Sequence, residues 1–260
     1  MKNKGLIITM IILLLIIVVL LVGILCLGIS GKISFMGFLR GKSKNIVHDE
    51  KYETEKIEKI SIKSSAGDIK FEESDDNQIR VVVYGEKENK INVEQSANTL
   101  KIESTQKSHI FGFNIRLNDI IVYIPKEYEK DIEIDSDLGD IEVISLEKAN
   151  IKIEQNCGDI NLGKVKNVEI ENDLGETKIE EVLNHLKIKS NCGDIKIEKV
   201  TLAENSKIEN DLGDVKIGET NDIFIDAHCD LGDEKIKNNS RQSEVTLKID
   251  VDCGDIKVEN

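Results

Sequence analysis

Seven acidic side chains each follow a glycine at nearly even spacing: Asp140, Asp159, Glu176, Asp194, Asp214, Asp233 and Asp255. Repeated carboxylates are the chemistry of calcium, which binds through oxygen ligands. If the copies stack as strands, neighbouring acids sit ~4.8 Å apart and repel by about 0.9 kcal/mol even in water. Something must offset that charge. Calcium between turns is one way; capping of each turn by its own Asp, with solvent screening the rest, is the other. The glycine-doubled nonapeptide of calcium-binding β-rolls is absent.

Other reactive side chains are scattered. His48, His109, His185 and His228 fall in different repeats or in none. His228 adjoins Cys229, but neighbouring strand residues face opposite ways, so the two do not share a metal. No Ser-His-Asp set is legible. Cys157, Cys192 and Cys253 take the place before the glycine that Leu138, Leu174, Leu212 and Leu231 take in other copies. Cys229 stands two residues earlier, on the same inward parity. The expectation is four reduced, buried cysteines acting as small hydrophobes. Cys157 and Cys192 would lie two rungs, or ~9.6 Å, apart, beyond disulfide reach. A carbohydrate-cleaving β-helix breaks its repeats with clustered acids, Arg or aromatics, whereas aromatics are only 4% here and the deviations are mild. The expectation is no enzyme: no catalytic residues, no cofactor-binding residues, no metal ligands, no cofactor and no small-molecule substrate.

The elements that position these residues follow from the repeat. Its glycines are Gly67, Gly139, Gly158, Gly175, Gly193, Gly213, Gly232 and Gly254, spaced 19, 17, 18, 20, 19 and 22 residues from Gly139 onward. A fixed period near 20 signals stacked repeats. Around each glycine the apolar residues alternate, as in Ile132, Ile134, Ile141 and Val143, which means strands with one buried face. A further apolar residue stands seven after the glycine: Leu146, Val165, Val182 and Val200. The Asx two before the glycine alternates between Asp and Asn and is expected to bond its own backbone in the turn. A lone copy buries almost nothing, so copies must cover one another, which is the logic of a β-solenoid.

Charges fix the count per rung. Six residues before the successive glycines stand Glu133, Lys152, Glu169, Lys187, Lys207, Asp226 and Lys248, and five of the six neighbouring pairs have opposite sign. One repeat per rung makes these cross-strand ion pairs; two repeats per rung would set like against like. The less regular strands between Phe71 and Asp131 read as an N-terminal part of the same stack, with Pro125 ending a strand. The fold expected is all-β: a β-solenoid (single-stranded β-helix) of about 20-residue rungs over 46–260, preceded by one transmembrane helix.

The chain has 260 residues and a net charge of −14. All 49 acids lie at or after Asp49 and only 29 of the 35 basic residues do, so that part carries −20. Such a surface repels nucleic acid and anionic lipid. Leu6–Ile29 is a run of 24 uncharged residues. A span needs roughly 20, and a cleaved signal has a shorter apolar region of about 7–15. The domains expected are a cytoplasmic N-terminus (1–5), a transmembrane helix (6–29), a basic linker (30–45) and the solenoid.

Several stretches carry a family resemblance: "TLKIE" at Thr99–Glu103, "IIVYIPKEYEKDIEIDSDLGDIEV" at Ile120–Val143, the serial Gly-Asp strands after it and the N-terminal anchor. From about Ile57 to Asn260 the chain resembles the bacterial "putative adhesin" or toastrack β-strand-repeat family. That resemblance implies a single-stranded β-solenoid held at the outer face of the cell membrane. It also implies company with envelope-stress genes, and it brings no catalytic residues.

Together these give a non-catalytic, single-pass membrane protein with an extracytoplasmic solenoid, acting as an interaction or envelope-stress-associated module. A calcium-stabilised surface adhesin is the alternative. The partners expected are the membrane, through the N-terminal anchor, and a protein or second copy at the C-terminal rung. That rung ends in an ordinary copy, "DCGDIKVEN", and repeat arrays usually end in an atypical cap.

Overall fold

The structure, a computed structural model, describes residues 45–85, 90–105, 117–237 and 239–259. Ser43–Asn260 forms one compact unit. The expected N-terminus (1–5), membrane span (6–29), most of the linker (30–45) and His109 lie outside the described residues. Among the described residues no helix is long and apolar enough to cross a membrane.

Alternation of Ile and Val with Lys and Glu produces strands almost throughout. In order they are β1 (Ile46–Glu53), β2 (Lys59–Ser64), β3 (Ile69–Glu73), β4 (Gln78–Tyr84), β5 (Lys90–Ser96) and β6 (Thr99–Thr105). Then come β7 (Asp119–Ile124), β8 (Asp131–Leu138), β9 (Ile141–Val143), β10 (Leu146–Cys157), β11 (Ile160–Leu174) and β12 (Thr177–Cys192). The last are β13 (Ile195–Val200), β14 (Ser206–Leu212), β15 (Val215–Thr220), β16 (Phe224–Leu231), β17 (Glu234–Ile236), β18 (Thr246–Cys253) and β19 (Ile256–Val258). Strand β7 stops at Ile124, directly before Pro125, which has no N–H to give a ladder.

The strands form two parallel ladders that meet at the glycine corners. The first holds the segments before each glycine, in the order β6, β2, β8, β10, β11, β12, β14, β18, β16. The second holds those after it, in the order β7, β3, β9, β11, β12, β13, β15, β19, β17. One repeat per rung is what this register shows. A single column of isoleucines, Ile102, Ile62, Ile134, Ile153, Ile170, Ile188, Ile208 and Ile249, runs through the stack. Each is at most 1% exposed, and burying such a side chain contributes about 1.5–3 kcal/mol. Leu146, Val165, Val182 and Val200 are fully buried, as their place seven after the glycine requires.

The irregular N-terminal region does belong to the stack, but it closes the stack antiparallel. β5 pairs antiparallel with β6, and β1–β4–β7 is an antiparallel run.

Space does not follow sequence at either end. After β3 the chain passes outward through β4 to β7, then returns so that β8 and β9 stack on the inner side of β2 and β3. The C-terminal end repeats the manoeuvre. β18 lies between β14 and β16, and β19 lies between β15 and β17. The rung expected at the tip is therefore an inner rung: Ile256 and Val258 are at most 1% exposed, and the Ile256 N–H donates to Asp233 O at 2.9 Å. The partner surface expected at the C-terminal rung is corrected accordingly. The same swap alters the charge column. Lys207 faces Lys248 and not Asp226, so four of its six neighbouring pairs are of opposite sign.

The rung that ends the stack is β16–β17, and side chains blunt its edge. The Phe224 N–H bonds inward to Val245 O, so Ile225, Ala227 and Cys229 present their backbone outward. Asn239 imitates a strand at Ile225, accepting its N–H at 2.9 Å and donating to its carbonyl at 2.8 Å. The Glu234 carboxylate accepts the Cys229 N–H at 2.8 Å. Edges closed in this way resist strand addition.

Candidate functional site

The glycine corner is where the repeat concentrates polar chemistry. All eight corner glycines have positive φ, from 120° at Gly67 to 157° at Gly232. Each also lies against its neighbour: a Cβ on Gly139 would meet Gly67 O at 2.1 Å, and one on Gly175 would meet Gly158 O at 1.9 Å. Only glycine supplies both the dihedral and the approach.

Outside the corner, the acids after the glycines are bonded across rungs and not within their own turns. The Asp140 N–H donates to Asp68 Oδ1 at 3.1 Å, Asp159 N–H to Asp140 Oδ1 at 3.0 Å, and Glu176 N–H to Asp159 Oδ1 at 2.9 Å. The pattern continues from Asp214 to Asp194, from Asp255 to Asp214 and from Asp233 to Asp255. Asp68, Asp140, Asp159, Asp194, Asp214 and Asp255 thus each spend one oxygen on the next rung's amide, which is the offset the column needs. Glu176 bonds Lys178 and Lys196 instead, each at 2.5 Å. Burial works to raise its pKa, but those two lysines outweigh it and hold the carboxyl below its usual range. Among the described residues no group of three or more His, Cys, Asp or Glu is gathered to hold a metal ion.

This ladder makes a paired prediction. Asp159→Ala should cost about 0.5–1.5 kcal/mol, because the Glu176 N–H loses its acceptor. Asp159→Asn keeps the accepting oxygen and removes one repelling charge, so it should be neutral or slightly stabilising. Thermal melts of the two variants check this; equal losses would mean that the charge, and not the acceptor, is what matters.

The Asx residues two before the glycines also bond across rungs, not to their own backbone as expected. Asn156 Nδ2 donates to Asp137 Oδ1 at 2.9 Å, and Asn191 Nδ2 to Asp173 Oδ1 at 2.7 Å. The alternation of Asp with Asn matches acceptors to donors.

Between the two acidic columns runs the leucine–cysteine column, and here the expectation of burial is overturned. Leu174, Leu212 and Leu231 are 43%, 55% and 70% exposed. Cys253 is exposed, and Leu138, Cys157 and Cys192 are half-buried. Positive φ at the glycine swings the preceding residue out of the pleat. The inward place at the corner belongs to the residue three before the glycine. In rung order these residues are Leu138, Cys157, Leu174, Cys192, Leu212, Cys253 and Leu231. At ~4.8 Å per rung they make an apolar ridge about 29 Å long. Twelve acids flank it: Asp137, Asp173, Asp211, Asp252 and Asp230 on one side, and seven from Asp140 to Asp255 on the other. The four cysteines from Cys157 onward are free. Cys229 is half-buried, and its thiol donates to Gly254 O at 2.9 Å. Burial first, then the carboxylates of Asp140 and Asp159, push the Cys157 thiol up, which keeps it protonated and a poor nucleophile.

Inside the corner stands a column that the sequence reading missed. The residues three before each glycine are Ser64, Ser136, Gln155, Asn172, Ser190, Asn210, Val251 and Cys229, in rung order. The six from Ser64 to Asn210 are at most 3% exposed. Their inward parity, shared with Ile132 and Ile134, was the signal.

Among the described residues the histidines are not brought together. His48 lies on β1 beside Tyr52, His185 on β12, and His228 on β16 at 3.0 Å from Asp230.

Residues 57–260 match the family described as Toastrack DUF4097. Solved structures with a related course include one described as a putative cell adhesion protein from Clostridium sporogenes ATCC 15579, at 13% identity, 83% of this chain, 99% of that chain and TM-score 0.40. A putative adhesin from Bacteroides fragilis NCTC 9343 gives 15%, 84%, 98% and 0.42. A structure described as a putative lipid binding protein from Parabacteroides distasonis ATCC 8503 gives 14%, 83%, 98% and 0.36. No curated protein matches the chain.

Proposed function

We propose, from the premise that the chain belongs to the Toastrack DUF4097 family, that it is a non-catalytic interaction module. In this reading residues 6–29 anchor it in the cell membrane and hold the solenoid outside, where it serves as an envelope-stress-associated module. The observation that carries the reading is the glycine-corner ridge: exposed Leu174, Leu212, Leu231 and Cys253 in line with half-buried Leu138, Cys157 and Cys192, with carboxylates on both flanks. Exposed apolar lines rimmed by charge mark interaction surfaces. The acidic flanks select the partner, a basic protein segment that also presents apolar side chains, and they repel anionic lipid headgroups.

Two experiments test this. In membranes, the triple change Asp173→Asn, Asp211→Asn and Leu212→Ser should cut recovery of a salt-releasable basic partner at least about tenfold, since charge pairs and a central apolar anchor together are worth several kcal/mol. Unchanged recovery from a folded variant would refute the ridge as the binding surface. For topology, exposed Cys253 is a built-in reporter. A membrane-impermeant maleimide added to intact cells should modify it; modification only after permeabilisation would place the solenoid inside.

A further inference from the structure

We propose that the inside of the glycine corner binds a file of water molecules, with its best-defined site beside Ser190, between Asn172 and Asn210. This is independent of the ridge. The hydroxyls of Ser64, Ser136 and Ser190 and the amide oxygens of Gln155, Asn172 and Asn210 have no protein hydrogen-bond partner, although all six residues are at most 3% exposed. They occupy six consecutive rungs in one register.

The amide orientations are fixed by the protein. Gln155 Nε2 donates to Gly139 O, Asn172 Nδ2 to Gly175 O at 3.1 Å, and Asn210 Nδ2 to Gly193 O at 3.1 Å and Gly213 O at 2.8 Å. A carbonyl only accepts, so the NH2 ends must face the glycines and the amide oxygens are left to the interior. Isolated unpaired buried groups occur in native proteins, but a contiguous run of three hydroxyls and three amide oxygens needs hydrogen-bond partners that no protein group within reach supplies.

Water fits that requirement. A serine side chain is shorter than the asparagine and glutamine side chains in the neighbouring rungs, so the serine rungs leave room at the same depth. At ~4.8 Å per rung, one water between Ser190 and Asn172 can accept the hydroxyl proton and donate to the Asn172 oxygen, and a second between Ser190 and Asn210 can donate to the Ser190 hydroxyl and the Asn210 oxygen, each within the two to four partners that a buried water makes. Ser64, Ser136 and Gln155 offer the same set farther along. The column holds neutral oxygens and no carboxylate, which suits water and not a metal ion. One end is closed where Asn118 Nδ2 donates to Ser104 Oγ at 2.9 Å, and the other by apolar Val251.

The test uses the full chain in detergent. Ser190→Ala adds no bulk. If the hydroxyl holds a water, the variant should melt roughly 2–4 °C lower. An unchanged or raised melting temperature means that the hydroxyl was buried dry, and it overturns the proposal. A near-atomic-resolution crystal structure of the unaltered chain should show ordered water within hydrogen-bond distance of Ser190 Oγ and an amide oxygen. A site filled by protein atoms alone overturns it equally.

Discussion

Gly175→Ala should lower stability by about 3–5 kcal/mol, which for a domain of this size is a fall of about 6–20 °C in melting temperature. Gly175 sits at φ 141° in the middle of the stack, where a side chain strains the backbone. The larger cost is contact. The new Cβ would lie 1.9 Å from Gly158 O and 2.6 Å from its carbonyl carbon. Backbone cannot turn aside as a flexible side chain can. Relief requires moving two rungs apart, which would stretch the Gly158 N–H bond to Leu174 O (2.9 Å) and the Glu176 N–H bond to Asp159 (2.9 Å). A thermal melt followed by circular dichroism measures this. A shift under about 2 °C, within the effect of an ordinary surface substitution, would show that the corner is looser than described.

Ending the chain at Glu244 should remove two rungs and not one. β18 and β19 are the neighbours on which β16 and β17 stack. Their loss also uncovers Ile208 and Val215, both fully buried, on the next rung. Leu247, Ile249, Val251, Ile256 and Val258 leave the core together, each worth about 1.5–3 kcal/mol. Limited proteolysis of the truncated chain should therefore trim it back to about Thr220. Persistent protection of Phe224–Ile236 would mean that the rungs stack in sequence order, contrary to the fold described.

Much of this architecture was legible. The isoleucine alternation and the opposite charges of Glu133, Lys152, Glu169 and Lys187 required one repeat per rung, and the register agrees. Rung order was not legible from periodicity, because the Gly232 and Gly254 copies offer the same strand spacing. The distinguishing signal was composition. Two residues after the other corner glycines stand Ile, Val or Thr, pointing inward, but after Gly232 stands Glu234. Array ends need an atypical copy, and that copy was present one position earlier than the chain end.

The corner itself misled for a physical reason. Period-two alternation assigns Leu138 and Cys157 to the core, but the alternation holds only while the pleat is unbroken, and a glycine at φ near 140° breaks it. One residue of parity decides whether seven side chains are core or ridge. The Asx and Asp columns are legible as columns, but their bonds run between rungs, which one turn taken alone does not reveal.

The most direct test of the ridge as an interaction surface is site-specific photo-cross-linking in membranes. One photoreactive residue replaces Leu212, at the centre of the ridge. A control replaces Lys148, an exposed side chain on β10 away from the glycine corner. Position 212 should give a discrete product whose cross-linked peptide is rich in Lys or Arg and carries apolar residues, with a yield that falls as salt is raised, and position 148 should give no such product. Equal cross-linking from both positions, or an acidic or salt-insensitive partner at 212, would contradict that role for the ridge.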